Sequence, residues 1–110
     1  MRLVRPAVAW TAALTASILV VALPIAAYAA TSNVTIQNFQ FVPISVTVTA
    51  GDTVTWTNKD STTHTATSDS GAFGGTLGPN AQFSFAFSNK GTFTYHCTLH
   101  PNMVGTVVVQ

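Results

Sequence analysis

Alternation of apolar and polar residues with a period of two dominates this sequence from Val34 onward. Such alternation places successive side chains on opposite faces of a strand and is typical of strands that are buried on one face. The apolar positions are Ile44, Val46 and Val48; Val54 and Trp56; Phe83, Phe85 and Phe87; Phe93 and Tyr95; and the final run from Gly105 to Val109. No stretch of ten or more residues after Ala30 has helical periodicity. The sequence therefore predicts an all-β fold, a sandwich of two sheets built from short antiparallel strands.

The segments between the alternating runs are rich in turn-forming residues. Glycine, proline, asparagine and aspartate cluster at 50–52, 58–60, 78–80 and 89–91, which predicts a turn at each place. Ile36 and Phe39 cannot share one face of a regular strand, so we expect a β-bulge near Gln37-Asn38. The Ser-, Thr- and Gly-rich stretch 61–79 is expected to be irregular.

The first 29 residues differ from the rest of the chain. A basic start with Arg2 and Arg5 is followed by an uncharged stretch over 6–27 and by the small-residue motif Ala27-Tyr28-Ala29. These are the parts of a secretory signal peptide, which predicts a signal over 1–29 and a single domain over 30–110. The apolar stretch is also long enough for an uncleaved membrane anchor, which needs roughly 17–25 residues. Both alternatives predict export, to the periplasm or the outer face of the cytoplasmic membrane, with membrane contact only if the segment is retained.

Charge and cysteine content narrow the function of the predicted domain. Its charged side chains are Lys59, Lys90 and three aspartates, so it has no basic surface with which to bind nucleic acid. Cys97 is the only cysteine and cannot form an internal disulfide. A lone thiol in an oxidising compartment is open to oxidation unless it is bound to another group. The single cysteine therefore suggests a bound metal.

Four potential metal ligands are suggestively placed. Cys97, His100 and Met103 form a Cys-x-x-His-x-x-Met run after a predicted strand, and His64 follows the strand that contains Trp56. Two imidazoles and a thiolate, with a weak axial thioether, are the ligand set of a blue-copper site. Each residue taken alone has a simpler interpretation. Cys97 is then a buried and inert thiol, Met103 fills the core, and His100 is a solvated loop residue. Their joint spacing favours one copper ion bound by all four.

Other interpretations fit the residues less well. His96 should point away from Cys97, because neighbouring residues of a strand face opposite sides, so we expect a surface histidine. An immunoglobulin-type sandwich would need a second cysteine for its disulfide. Structural zinc sites do not use thioethers, and haem attachment needs a Cys-x-x-Cys-His motif that is absent.

The run from Gly91 to Val109 resembles the C-terminal copper loop of cupredoxins, and its short ligand spacing is similar to that of amicyanins. The segments 39–43 and 50–60, followed by His64, are similar to the part of those proteins that supplies the first histidine. The resemblance covers nearly all of 30–110. It implies a Greek-key cupredoxin sandwich with one copper ion, cycling between Cu(I) and Cu(II), and single-electron transfer. It also implies that His64, Cys97 and His100 are equatorial ligands and that Met103 is axial.

Two positions depart from the pattern of this family. Thr65 stands where many relatives have an asparagine that ties the two ligand loops together, so that hydrogen bond should be weaker or replaced. Leu99 stands where amicyanins and plastocyanins often have proline. Both changes affect the surroundings of the ligands, which tune the reduction potential.

The expected function is an electron shuttle and not an enzyme, because four protein ligands leave no open position for a substrate. We expect a monomer that docks briefly with redox partner proteins near His100. An apolar patch of Leu99, Pro101 and either Phe73 or Leu77 should surround that histidine. The alternative is a copper carrier or storage protein that uses the same ligands, and a third possibility is an adhesion-type sandwich with a vestigial site.

Overall fold

The computed structural model describes residues 2–5, 7, 11–22 and 28–110, and within these residues it contains nine strands and no helix. The strands are β1 (Thr31–Gln37), β2 (Gln40–Val42), β3 (Ser45–Val48), β4 (Thr53–Asn58), β5 (His64–Ser68), β6 (Gly74–Leu77), β7 (Gln82–Ala86), β8 (Gly91–His96) and β9 (Val104–Val109). No helix in the described part of the chain is long and apolar enough to cross a membrane. Residues 1, 6, 8–10 and 23–27 of the predicted signal segment lie outside the described residues, so that segment stays a prediction.

The strands form two sheets. One has the order β2-β1-β4-β7 and the other has the order β3-β9-β8-β5-β6. The predicted all-β, two-sheet sandwich is confirmed. The strands pair mostly antiparallel, as expected, but β1 pairs with β4 and β3 pairs with β9 in parallel. Parallel neighbours cannot be joined by a tight turn, so in each pair the connecting chain leaves the sheet before it returns.

Aromatic side chains fill the space between the sheets. Trp56 is fully buried and stacks on Phe73 and Phe83, with ring centroids 5.2 and 5.6 Å apart. The Tyr95 ring meets the Trp56 ring edge-on at 5.5 Å. Alternation along β4 and β8 therefore does place their apolar residues inside. The predicted strand with Val46 and Val48 differs in one residue. Its Ile44 is 63% exposed, because it precedes the first residue of β3.

The predicted bulge near Gln37-Asn38 is instead a hairpin turn. Gln37 pairs with Gln40, and the two residues between them have positive φ, 53° at Asn38 and 58° at Phe39. Positive φ at both central residues is typical of the two-residue turn that matches the twist of a hairpin. The chain reverses here, so Ile36 is buried while Phe39 remains 47% exposed.

The stretch predicted as irregular contains β5 and β6, which pair with each other from His64–Leu77 to Thr67–Gly74. Nearly every residue of β5 is buried. A strand covered on both faces has no need of alternation, so its pattern of threonine and alanine gave no periodic signal. Because β5 also pairs with the end of β8, His64 and Cys97 lie at the same end of the sandwich.

Gly105 makes room for the Tyr95 ring, its cross-strand partner in β8. A Cβ at position 105 would collide with the ring carbons and the hydroxyl of Tyr95. We therefore predict that Gly105→Ala lowers the free energy of unfolding by about 1–3 kcal/mol, the usual cost of overpacking a core. Chemical denaturation of the metal-free protein measures this change. Gly74→Ala is the control, because a Cβ there meets no atom within 4 Å. Equal stability of the two variants would contradict the prediction.

Candidate metal centre

The side chain of Asn58, which is completely buried, shapes the loop that delivers His64. Its amide group donates to the carbonyl oxygens of Thr62, Leu77 and Gly78 at 2.8, 3.0 and 3.2 Å. Its own oxygen accepts from the backbone N–H of Asp60 at 2.9 Å. One buried amide thus holds the loop between β4 and β5 at Asp60 and Thr62 and joins it to the end of β6. His64 then begins β5 with no exposed surface.

The other candidate ligands lie on a short loop between β8 and β9. The N–H of His100 donates to the carbonyl of Cys97 at 3.3 Å, and the N–H of Met103 donates to the carbonyl of His100 at 2.8 Å. The N–H of Cys97 closes the loop on the carbonyl of Met103 at 3.0 Å. Cys97 and Met103 are buried, whereas His100 is partly exposed. Three backbone hydrogen bonds within the loop therefore define its turn.

Three electron-pair donors converge where the two loops meet. The Nδ1 atoms of His64 and His100 are 3.2 Å apart, and the Sγ atom of Cys97 lies 3.8 and 3.6 Å from them. A point about 2.1 Å from all three atoms lies at the centre of this triangle. Zinc sites have metal–imidazole distances of about 2.0–2.1 Å and metal–thiolate distances of about 2.3 Å, so the triangle fits an ion of this size. No other such cluster of potential ligands occurs among the residues that the structure describes.

Asp60 is the hydrogen-bond partner of His64 on the side away from the cluster. Its Oδ2 atom lies 2.9 Å from the Nε2 atom of His64. A carboxylate there favours the proton on Nε2 and leaves the Nδ1 lone pair free to bind a metal. Burial acts to raise the pKa of Asp60, but hydrogen bonds from the amides of Phe39 and Asn38, and the contact with His64, lower it below that of an ordinary aspartate. The sequence interpretation missed Asp60, although it lies only four residues before His64.

Thr65 and Thr98 connect the two ligand loops. The Thr65 hydroxyl accepts from the backbone N–H of Thr98 at 2.8 Å and lies 3.1 Å from the Thr98 hydroxyl. The backbone N–H of Thr65 points to the sulfur of Cys97 at 3.3 Å. The sequence predicted that the hydrogen bond between the two ligand loops is weaker or replaced. It is replaced, and the hydroxyl of Thr65 makes the connection. The missed partner, Thr98, directly follows the cysteine in the sequence.

The apolar patch around His100 differs in part from the prediction. Leu99 is 56% exposed and Pro101 is exposed, as expected. Phe73 and Leu77 do not belong to the patch, because both are buried in the core, where Phe73 stacks on Trp56. Phe39 lies next to His100 instead.

His96 stays outside the cluster, as the alternation of β8 predicted. Its side chain is 33% exposed, and its Nδ1 atom lies 2.5 Å from a carboxylate oxygen of Asp69. Hydrogen bonds from Thr94 and His96 lower the pKa of Asp69. This pair lies on the outer face of the sheet.

The sequence profile of the cupredoxin-like domain matches residues 6–109. The chain belongs to the cupredoxin family. It is 41% identical to an amicyanin of Paracoccus denitrificans over 69 residues, or 57% of this chain and 53% of that protein. The chain thus spans about half the length of this relative. It is also 36% identical to amicyanin-alpha of Methylorubrum extorquens over 88 residues, or 74% of each chain.

Solved structures agree with this family assignment. The structure of an amicyanin variant with Cu(I) superposes with a TM-score of 0.69 and 31% sequence identity, covering 73% of this chain and 82% of the other. Family membership and the donor cluster together confirm the predicted cofactor, one copper ion. They also confirm the resemblance to cupredoxins stated from the sequence.

The Thr65 tie yields a prediction for the stability of this cupredoxin. Thr65→Val keeps the shape of the side chain but removes the acceptor for the N–H of Thr98. Leaving a donor without its partner costs about 1–3 kcal/mol, so we expect the metal-free variant to unfold at lower denaturant concentration. Thr65→Ser should retain most of the stability. Thr55→Val is the control, since its hydroxyl bonds only Ser84 on the exposed face of the other sheet. A Thr65→Val variant as stable as the control would refute the role of this hydrogen bond.

Proposed function

We propose that this cupredoxin carries single electrons through one copper ion bound by His64, Cys97, His100 and Met103. The observation that carries the proposal is the triangle of two imidazole nitrogens and one sulfur, with sides of 3.2–3.8 Å. Nitrogen and thiolate donors in one plane, with a weak axial thioether, are typical of electron-transfer copper sites. Met103 supplies the thioether from the buried end of the same loop.

The rigidity of the site favours electron transfer over copper transport. Bound copper supplies a one-electron couple, and a ligand set that does not rearrange keeps the cost of changing its charge low. His64 and Cys97 have no exposed surface, and the hydrogen bonds of Asn58, Asp60 and Thr65 fix them in place. A carrier that hands over its ion needs exposed ligands that exchange readily. The burial of these two side chains is therefore the feature that supports the shuttle against the carrier.

His100 is the proposed point of electron entry and exit, because it is the partly exposed member of the triangle. Phe39, Leu99 and Val104 around this end are 47%, 56% and 51% exposed. The domain has only five charged side chains, so an apolar contact of small area suits brief docking with a redox partner protein. We expect the association rate to depend little on ionic strength.

The remaining parts of the proposal concern reactivity and location. Four side chains of the protein around the ion would leave no position for a substrate, so an electron carrier fits better than an enzyme. The signal-like segment over 1–29 supports export, to the periplasm or the outer face of the cytoplasmic membrane. We propose that the protein works there as a monomer.

A visible absorption titration of the reduced protein with Cu(II) tests the copper site. We expect an intense thiolate-to-copper band that saturates at one ion per chain, and its complete loss in Cys97→Ser. His96→Ala is the matched control, because this histidine adjoins Cys97 but lies outside the triangle, and it should keep the band. Colourless or weak binding by the wild-type protein would overturn the ligand assignment and favour a sandwich with a vestigial site.

Voltammetry and copper transfer separate the shuttle from the carrier. A shuttle should give a reversible one-electron wave and should keep its Cu(I) when a chelator is added. Rapid transfer of Cu(I) from the wild-type protein to the chelator, without a reversible wave, would favour the carrier.

A further inference from the structure

The hairpin turn between β1 and β2 holds a bulky residue in a conformation that such residues rarely adopt. Asn38 and Phe39 have φ values of 53° and 58°. Asparagine tolerates this left-handed region, whereas a bulky side chain there is strained. Glycine is the residue that such turns usually use at the second position. Strained residues persist only where surrounding contacts hold them, and they cluster at functional sites.

The contact that holds the turn is the carboxylate of Asp60. Its Oδ1 atom accepts from the N–H of Asn38 at 2.8 Å, and its Oδ2 atom accepts from the N–H of Phe39 at 2.9 Å. The same Oδ2 atom lies 2.9 Å from the Nε2 atom of His64. One carboxylate therefore binds two consecutive amides of the turn and the ring of a candidate ligand.

The Phe39 side chain, held in this way, covers both histidines. Its ring meets the rings of His64 and His100 edge-on, with centroids 4.9 and 5.0 Å apart and interplanar angles of 89° and 86°. The ring also lines a surface groove whose other walls include Met103 and Val104. Phe39 thus lies between solvent and the imidazole side of the site, although it comes from the opposite sheet.

We propose that the turn of Asn38 and Phe39 is a lid on the metal centre, which Asp60 holds closed so that the bound ion exchanges slowly with solution. This inference rests on the proposed copper site. Phe39 excludes water and competing ligands from the edges of His64 and His100. Asp60 positions both the lid and His64, and it does so without touching the metal.

Asparagine cannot replace Asp60 in this role. The amides of Asn38 and Phe39 are donors, and the Nε2 atom of His64 is also a donor when Nδ1 binds the metal; both oxygens of the carboxylate are used. An asparagine has one oxygen, and its amide nitrogen would face a second donor whichever way the side chain is turned. Asp60→Asn must therefore release either Asn38 or the pair formed by Phe39 and His64.

The rate at which Cu(I) passes to the chelator bathocuproine disulfonate tests the lid. We expect Phe39→Ala, Phe39→Gly and Asp60→Asn to release copper at least about tenfold faster than wild type, the lower range of effects seen when the surroundings of metal ligands are removed. Asp52→Asn is the matched control. Asp52 also accepts two backbone amides, those of Ala30 and Thr49, but at the other end of β4. The Asp52→Asn variant should release copper at the wild-type rate even if its free energy of unfolding falls.

Two variants at one position separate the lid from a general loss of stability. Phe39→Gly and Phe39→Ala both remove the ring, but glycine relieves the left-handed strain. The glycine variant should therefore unfold at higher denaturant concentration than the alanine variant, while both lose copper equally fast. Release at the wild-type rate from the Phe39 variants, or release rates that follow stability, would overturn the lid.

The result for wild type distinguishes failure of the lid from failure of the copper site. If wild type gives the thiolate–copper band and the variants release copper as it does, the lid alone is wrong. If wild type gives no band, the proposed function fails. Measurements on the metal-free protein then test whether Asp60 holds the turn. Nitrogen-15 NMR of wild type should find the proton of His64 on Nε2 and slowly exchanging amides at Asn38 and Phe39. In Asp60→Asn either the Asn38 amide, or the Phe39 amide together with the His64 proton, should lose this protection. Unchanged signals in that variant would remove the basis of the lid.

Discussion

Three lone pairs from two distant parts of the chain are held within 3.8 Å of one another in a site that is largely buried. His64 and Cys97 are 33 residues apart in sequence, so only the pairing of β5 with β8 brings them together. The three atoms are one another's polar neighbours, and a copper ion bound among them, as proposed, would pair with all three at once.

Three polar residues from the segment around His64 hold the candidate site together. Asn58 shapes the approach to His64, Asp60 binds the far side of its ring, and Thr65 ties the segment to the loop that carries Cys97. These hydrogen bonds use protein atoms only, so the site is organised by the polypeptide itself. Such preorganisation suits a centre that should change charge with little movement. It also explains why polar residues are buried at this end, while aromatic rings fill the middle of the sandwich.

The lid extends this principle to the opposite sheet. The turn between β1 and β2 belongs to the sheet that supplies none of the candidate ligands, yet its Phe39 ring lies against both imidazoles. Through Asp60, one carboxylate links that turn to His64. Both sheets therefore contribute to the surroundings of the metal, and the left-handed backbone of Phe39 is maintained by hydrogen bonds to a residue that the site already needs.

The sequence by itself determined the fold class and the chemistry of the donors, because both are local properties. Alternation identifies strands buried on one face, and Cys97, His100 and Met103 are close along the chain. The sequence could not determine β5, which is covered on both faces, or the parallel pairs, which depend on distant strands. It also missed Asp60, Thr98 and the position of Phe39, and it misplaced Phe73 and Leu77. Contacts of this kind are made between segments, and an aspartate or a phenylalanine has the same local pattern wherever it packs. Only the tertiary structure decided which of these residues surround the metal centre.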